Sequence, residues 1–181
     1  MTTILKRWLV YCILFVVVAA VAAAYYWRAN SKPLGEPRWL QFAEEGSSPT
    51  EQLKFLEGDF RIVKNVRALP KPVVDALIEE GGSRLTMVNA GQEFEATDVI
   101  SNSSLPNRRL IFAGIADNRV FLHYEQGGIA HMFILALVRV NAEGKVEPVW
   151  RSYCGPVTDL QALRTEIRNG KCSDAVPREM R

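Results

Sequence analysis

The fold is decided by residues 108–151, which read RRLIFAGIADNRVFLHYEQGGIAHMFILALVRVNAEGKVEPVWR. Apolar residues alternate with other residues through much of this stretch, and a period of two is typical of β-strands. Short joints separate the apolar runs, and their residue types tolerate the positive φ of tight turns: Asp117-Asn118, Gly127-Gly128 and Asn141–Gly144. We therefore predict four antiparallel strands, over Arg108–Ala116, Arg119–Gln126, Ala130–Val140 and Lys145–Arg151.

The alternating pattern continues upstream of these four strands. Residues 84–90 and 93–100 are predicted to form a hairpin around Asn89–Gln92, which brings the meander to six strands. A further short strand is predicted over 60–66. The strand over 130–140 is apolar on both faces, so we expect it to be central and covered on both sides.

Helices are predicted before and after the meander. Capping or proline residues mark three starts, at Ser48 with Pro49 and Glu51, at Pro70 with Pro72, and at Thr158 with Gln161. Glycines mark the ends, at Gly58, Gly81-Gly82 and Gly170. The sequence therefore predicts an α+β fold, a single domain over residues 48–181 in which a mostly antiparallel meander packs with two or three helices.

The first part of the chain has a different character. Residues 8–27 are twenty consecutive apolar residues, and a helix of about 20 such residues spans a bilayer core. Aromatic rings at both ends suit the two membrane interfaces. We predict a transmembrane signal anchor here, with a short cytoplasmic tail over 1–7 and a tether over 28–47. The alternative is a signal peptide cleaved near Ala24, which would leave a secreted protein.

The two cysteines beyond residue 27, Cys154 and Cys172, decide the predicted orientation, since the charges flanking the span do not. An even pair of cysteines is typical of an oxidising compartment. We predict a Cys154–Cys172 disulfide that staples the last helix. We therefore expect a single-pass protein of the inner (cytoplasmic) membrane whose C-terminal domain is periplasmic. The alternative is a cytoplasmic domain with two buried thiols.

The charge distribution excludes some classes of partner. All 20 acidic residues lie after residue 27, and so do all 22 basic residues except Lys6 and Arg7. The domain is therefore neutral, which argues against a strongly basic nucleic-acid-binding protein and against a disordered polyelectrolyte. We expect the membrane and a protein of the envelope as partners, and no nucleic acid.

The two histidines, His123 and His131, are the first candidates for catalysis or metal binding. A two-residue Gly127-Gly128 turn pairs Gln126 with Ile129 and points the histidines to opposite faces of the sheet. A three-residue turn would place them opposite each other and allow a shared metal. Glycine pairs favour the shorter turn, so we predict no metal, cofactor or catalytic pair.

A curved sheet around the last helix would be able to enclose an apolar cavity. The candidate lining residues are Leu110, Phe112, Phe121, Met132, Ile134 and Leu163. The alternative is that these six side chains form a dry core.

The leading hypothesis from the sequence is a membrane-tethered, non-enzymatic interaction or accessory module of the cell envelope. An assembly component and an immunity or inhibitor protein both fit this description. The first alternative is a binder of a lipid or apolar small molecule. A weaker alternative is a small hydrolase that uses Cys154 as a thiolate nucleophile or one of the histidines.

Overall fold

A computed structural model describes residues 48–78, 85–96, 104–128 and 130–174 of the chain. The predicted tail, span and tether over residues 1–47 lie outside these ranges. Within the described ranges, no helix is both long enough and apolar enough to cross a membrane.

The described residues form three helices and a six-stranded sheet. The helices are α1 (Pro49–Phe55), α2 (Lys71–Ala76) and α3 (Leu160–Arg168), with a 3₁₀ turn at Val66–Ala68. The strands are β1 (Arg61–Val63), β2 (Arg108–Ala116), β3 (Arg119–Gln126), β4 (Met132–Val140), β5 (Val146–Tyr153) and β6 (Ser173–Asp174). Every strand pairs antiparallel with the next one along the chain. The predicted α+β fold with an antiparallel meander is therefore confirmed.

The predicted hairpin over 84–100 is wrong for the part that the structure describes. Residues 85–96 contribute only isolated bridges, and the bridge between Val88 and Arg109 is parallel. The turn at Asn89 is hydrogen-bonded instead to the 3₁₀ turn, because the Asn89 side-chain oxygen accepts from the Val66 backbone N–H at 2.8 Å. The six strands of the sheet are completed instead by β1 and β6.

The helix ends also differ from the prediction. The capping box of α1 is confirmed, since Ser48 and Glu51 cap each other's backbone. Helix α2 already ends at Ala76, ahead of the expected stop at Gly81-Gly82, which lies outside the described residues. The N-cap of α3 is Asp159 rather than Thr158, because the Asp159 carboxylate accepts from the Ala162 N–H.

Both faces of the sheet are covered. On one face lies the α2 core, where Val73 of α2 and Leu77, the residue that caps its end, pack with Leu122 and Ala136 of the sheet. On the other face lies the α1–α3 core, which contains these buried residues: Phe55, Leu56, Phe112, Phe121, Leu135, Leu137, Trp150, Cys154, Leu163 and Ile167. Strand β4 lies between β3 and β5 and buries five successive residues, as predicted for a central strand covered on both sides.

Two arginines hold the carboxyl end of α1 against the rest of the domain. Arg119 on β3 donates to the Phe55 carbonyl at 2.7 Å and to the Glu57 carbonyl at 3.0 Å. Arg164 on α3 donates to the Leu56 carbonyl at 2.6 Å. Because the last carbonyls of a helix lack partners within the helix and carry partial negative charge, two guanidinium groups stabilise this end.

The predicted disulfide between Cys154 and Cys172 is present, and the Cα atoms lie 4.3 Å apart. Cys154 follows β5 directly, and Cys172 precedes β6, which pairs with β5 at Ser152 and Asp174. The disulfide therefore holds the chain after α3 against the exit of β5.

We expect the double variant Cys154→Ser/Cys172→Ser to have a free energy of unfolding about 3 kcal/mol lower than that of wild type, because the disulfide closes a loop with a sequence separation of 18. Urea unfolding of the full chain in mild detergent measures this loss. Cys12→Ser is the matched control, since it removes a cysteine but leaves the disulfide. Equal midpoints for the double variant and the wild type would contradict the prediction.

Candidate functional site

The connection between β3 and β4 sets the positions of both histidines. Gln126 pairs with Met132 and His123 with Leu135, so five residues, 127–131, connect the strands. The predicted two-residue turn is therefore wrong, and so is its three-residue alternative. The Gly127 N–H donates to the Asn107 carbonyl at 2.8 Å, so the chain passes the end of β2 before it turns. His131 consequently lies in the connection and not on β4.

This longer connection brings His131 to Glu125, and we call Arg109, Glu125 and His131 the Glu125 cluster. The His131 Nε2 lies 2.8 Å from Glu125 Oε2. Arg109 on β2 approaches the same carboxylate from the other side, with Nε 2.9 Å from Oε1 and Nη2 3.0 Å from Oε2. A guanidinium and an imidazole thus share one carboxylate. The contact between Arg109 and Glu125 is bidentate, which is the geometry of strong arginine–carboxylate pairs.

Aromatic rings and a backbone carbonyl surround the Glu125 cluster. The Arg109 guanidinium lies 4.4 Å from the centre of the Phe94 ring and also donates to the Gln92 carbonyl at 3.3 Å. The Phe133 ring centre lies 5.1 Å from that of His131. The cluster therefore ties the 92–94 segment and the β3–β4 connection to the end of the sheet.

The exposure of its three side chains indicates that the Glu125 cluster has a structural role. Only 10% of the Glu125 side chain is exposed, against 29% for Arg109 and 44% for His131. The carboxylate is shielded from water, and both of its oxygens already accept hydrogen bonds. A group bonded in this way is better suited to holding segments together than to taking a proton from a substrate.

We expect Glu125→Gln to lower the free energy of unfolding by about 2 kcal/mol, because Arg109 would lose its charged partner. The loss stays below that of a fully buried pair, since water still reaches the guanidinium. Urea unfolding of the full chain in detergent measures the loss. Glu143→Gln, on the exposed β4–β5 turn, is the control with no expected effect. A Glu125→Gln midpoint equal to that of wild type would contradict the role of the cluster as a fastening.

His123 lies two residues before Glu125 on β3 but in a very different environment. Its ring is fully buried and stands edge-on to Phe112 at a centroid distance of 5.5 Å. Because a carbonyl only accepts, the Nδ1 must carry the hydrogen in its 3.1 Å bond to the Ile134 carbonyl. Within the described part of the chain, Nε2 has no hydrogen-bond partner.

Burial lowers the pKa of His123 to about 4. The carbonyl groups of Ile134 and Gly155 and the Glu125 carboxylate oppose this shift without cancelling it. His123 is therefore neutral near pH 7. Among the described residues, no three His, Cys, Asp or Glu side chains are grouped closely enough to hold a metal ion.

The remaining predicted site residues belong to the two cores. Leu110 and Ile134 are buried in the α2 core, with Met132 packed against it, whereas Phe112, Phe121 and Leu163 are buried in the α1–α3 core. The sheet itself separates the two sets, so the six side chains do not line a common cavity. Cys154, the predicted alternative nucleophile, carries no free thiol because it is bonded to Cys172.

A surface groove lies where the sequence predicted a hairpin. Its volume is about 440 Å³, and it is lined by Arg67, Leu85, Met87, Val88, Asn89, Gln92 and Pro106. Met87 is the fully buried member of this lining. Asn89 holds the groove in shape, since its side chain binds the Val66 N–H and its backbone N–H donates to the Gln92 side chain at 2.9 Å.

Sequence reasoning missed both the groove and the Glu125 cluster. The adjacent basic residues Arg108 and Arg109 at the start of β2 were the available signal, because charged residues entering a strand must find partners when they are buried. Comparison of the chain with protein-family models, curated proteins and solved structures found no match.

Proposed function

We propose that the protein is a membrane-tethered, non-enzymatic interaction module of the cell envelope, with its domain in the periplasm. The apolar stretch over 8–27 supports the tether, and the Cys154–Cys172 disulfide supports an oxidising compartment. The groove is the surface through which the domain binds a partner protein.

The observation that carries this proposal is the groove beside the 3₁₀ turn. Its lining combines apolar side chains with the amides of Asn89 and Gln92 and the guanidinium of Arg67, a mixture typical of protein interfaces. The hydrogen bonds of Asn89 fix its shape in advance, which reduces the entropy lost on binding. Leu85, Val88 and Pro106, which are only partly buried, supply the apolar surface for contact with a partner.

A photocrosslinking amino acid at position 67 tests the proposal in cells that express the full chain. Arg67 is exposed and lines the groove, so the replacement leaves the core intact. We expect one discrete crosslinked protein. The same probe at Glu143, on the exposed β4–β5 turn, is the control and should give no such product.

Val88→Trp provides a second control, because its larger side chain fills the groove from one of the lining positions. We expect it to abolish the crosslink from position 67. Crosslinks of equal yield from positions 67 and 143, or a crosslink that persists in Val88→Trp, would contradict the groove as the binding surface.

The alternative function is binding of a lipid or apolar small molecule in the same groove. Its volume of about 440 Å³ lies within the range of about 300–1,000 Å³ that is common for small-molecule sites. Leu85, Met87, Val88 and Pro106 supply the apolar part of the lining. Native mass spectrometry of the full chain separates the two functions, since a bound small molecule adds a defined mass that Val88→Trp removes.

A further inference from the structure

We propose that the groove recognises an acidic segment of the partner protein, in which a carboxylate side chain stands beside one or two apolar side chains. Arg67, Asn89 and Gln92 are the lining residues that receive the carboxylate. The inference rests on the proposed function, because it names the chemistry of the partner that the groove binds.

Hydrogen bonds within the domain fix which atoms of the two groove amides remain available. The Asn89 side-chain oxygen accepts from the Val66 backbone N–H at 2.8 Å, and the Gln92 side-chain oxygen accepts from the Asn89 backbone N–H at 2.9 Å. Because a backbone N–H can only donate, the atom that meets it must be the amide oxygen. The NH2 groups of Asn89 and Gln92 form no hydrogen bond within the described part of the chain. Each amide therefore offers a donor to a ligand.

The backbone acceptors beside these amides are already in use. Four carbonyls of lining residues accept a hydrogen bond within the domain, those of Val88, Asn89, Gln92 and Pro106. A ligand that donates would have to share a carbonyl that is already bonded, whereas a ligand that accepts meets donors without a partner. An ionised carboxylate is the protein side-chain group that only accepts hydrogen bonds. The hydrogen-bonding pattern of the groove therefore favours a carboxylate.

Arg67 gives the groove its positive charge. Its side chain is exposed and forms no ion pair or hydrogen bond among the described residues. No acidic residue is among the described residues that line the groove, and the neighbouring Glu93 is exposed but is not part of the lining. The planar guanidinium is able to donate two parallel hydrogen bonds to one carboxylate. The charge of Arg67 thus complements the acceptor that the two amides favour.

The apolar part of the lining indicates what stands next to the carboxylate. Leu85, Val88 and Pro106 are partly buried and leave apolar surface open to a ligand. Three of the seven lining side chains are polar, so the hydrocarbon tail of a long-chain fatty acid would lie against an amide or the guanidinium. A peptide instead presents a carboxylate and apolar side chains at separate points along its backbone, which suits a lining of mixed character.

Selection of peptides on the full chain tests the inference. The wild-type protein in mild detergent is exposed to a phage-displayed library of short random peptides. Peptides that also bind Val88→Trp, whose larger side chain fills the groove, are discarded because they bind elsewhere. We expect the remaining peptides to be enriched in Asp and Glu over the unselected library, with an apolar residue beside the acid. The same enrichment of Asp and Glu among the discarded peptides would overturn the inference.

Matched peptides then show whether Arg67 receives the acid. Replacing the acidic residue of a selected peptide by the corresponding amide should weaken its binding to wild type about fivefold, the upper range for an exposed ion pair. On Arg67→Gln the same replacement should cost less than about twofold, because the charged partner is gone. Arg168→Gln, which removes an exposed cation at the end of α3, is the control and should behave as wild type does. Equal affinities of wild type for the acidic and the amide peptide would overturn the inference.

Asn89→Asp tests the donor role of the amide while the groove keeps its shape. An aspartate oxygen still accepts from the Val66 N–H, but the NH2 donor is replaced by a charged acceptor. We expect acidic peptides to bind at least about tenfold more weakly, whereas the urea midpoint stays at the wild-type value. Asn118→Asp adds the same charge on the exposed β2–β3 turn, outside the lining, and should leave the affinity unchanged. Acidic peptides that bind Asn89→Asp as tightly as wild type would overturn the inference.

The selection also separates this inference from the proposed function. Groove-dependent peptides without acidic residues would overturn the inference and leave a groove that binds protein. If no groove-dependent peptide is found, the inference fails, and the crosslink from position 67 decides the proposed function by itself. That crosslink does not require the arginine, since covalent capture accumulates complexes that have lost the gain in affinity of about fivefold.

Discussion

Replacing Gly127 with alanine is expected to destabilise the domain by about 4 kcal/mol, the largest loss of any single substitution considered. A Cβ atom at this position would lie 2.0 Å from the Glu95 carbonyl oxygen and 2.7 Å from the Ala96 Cα. Both are backbone atoms, so no flexible side chain can move aside to relieve the overlap. The segment that would have to move also carries Phe94, which covers Arg109 in the Glu125 cluster.

Urea unfolding of the full chain in mild detergent measures the effect of Gly127→Ala. Gly155→Ala is the matched control, because its nearest obstacle, at 3.2 Å, is the Glu166 carboxylate at the end of a flexible side chain. We expect the control to cost less than about 1 kcal/mol. Similar losses for the two variants would mean that the backbone at residues 95–96 does not lie against Gly127.

The strands that could be predicted from the sequence are those marked by a long run in which apolar residues alternate with others. The predicted bounds of β2 and β3 match the structure, and those of β4 and β5 differ by at most two residues. Alternation over eight or nine residues and a turn of Asp117 and Asn118 are local properties. By contrast, β6 has two residues and pairs beside the disulfide, so its formation depends on a partner distant in the sequence.

The Glu125 cluster was missed because two local irregularities set its geometry. A two-residue turn at 117–118 pairs Ala116 with Arg119, and unbroken counting from there pairs Arg109 with Gln126. An irregularity in pairing between Leu110 and Phe112 shifts the partner of Arg109 to Glu125. His131 reaches the same carboxylate only because the β3–β4 connection has five residues. Gly127 permits that connection by its contact with residues 95–96, which no local pattern reveals.

Acid is expected to destabilise the domain through His123. The folded domain keeps this imidazole neutral down to a pKa of about 4, whereas the unfolded chain protonates it near pH 6.5. Between these values the unfolded state binds a proton that the folded state does not, so the free energy of unfolding falls as the pH falls. Most of the loss has occurred by pH 4, where it amounts to about 3 kcal/mol.

Comparison of wild type with His123→Leu isolates this contribution from that of the carboxylates. Above pH 6.5, the free energy of unfolding of wild type should exceed that of the variant by the largest margin. This margin should fall towards pH 4 by the loss attributed above to His123. Leu135→Val, at the paired position on β4, is the control, since it removes buried volume but no titrating group and should cost the same at every pH. Wild-type and His123→Leu curves that stay parallel from pH 7.5 to pH 4 would mean that His123 takes up a proton in the folded domain as readily as in the unfolded chain. At mildly acidic pH, His123 would then not be the buried, neutral imidazole that donates from Nδ1 to the Ile134 carbonyl.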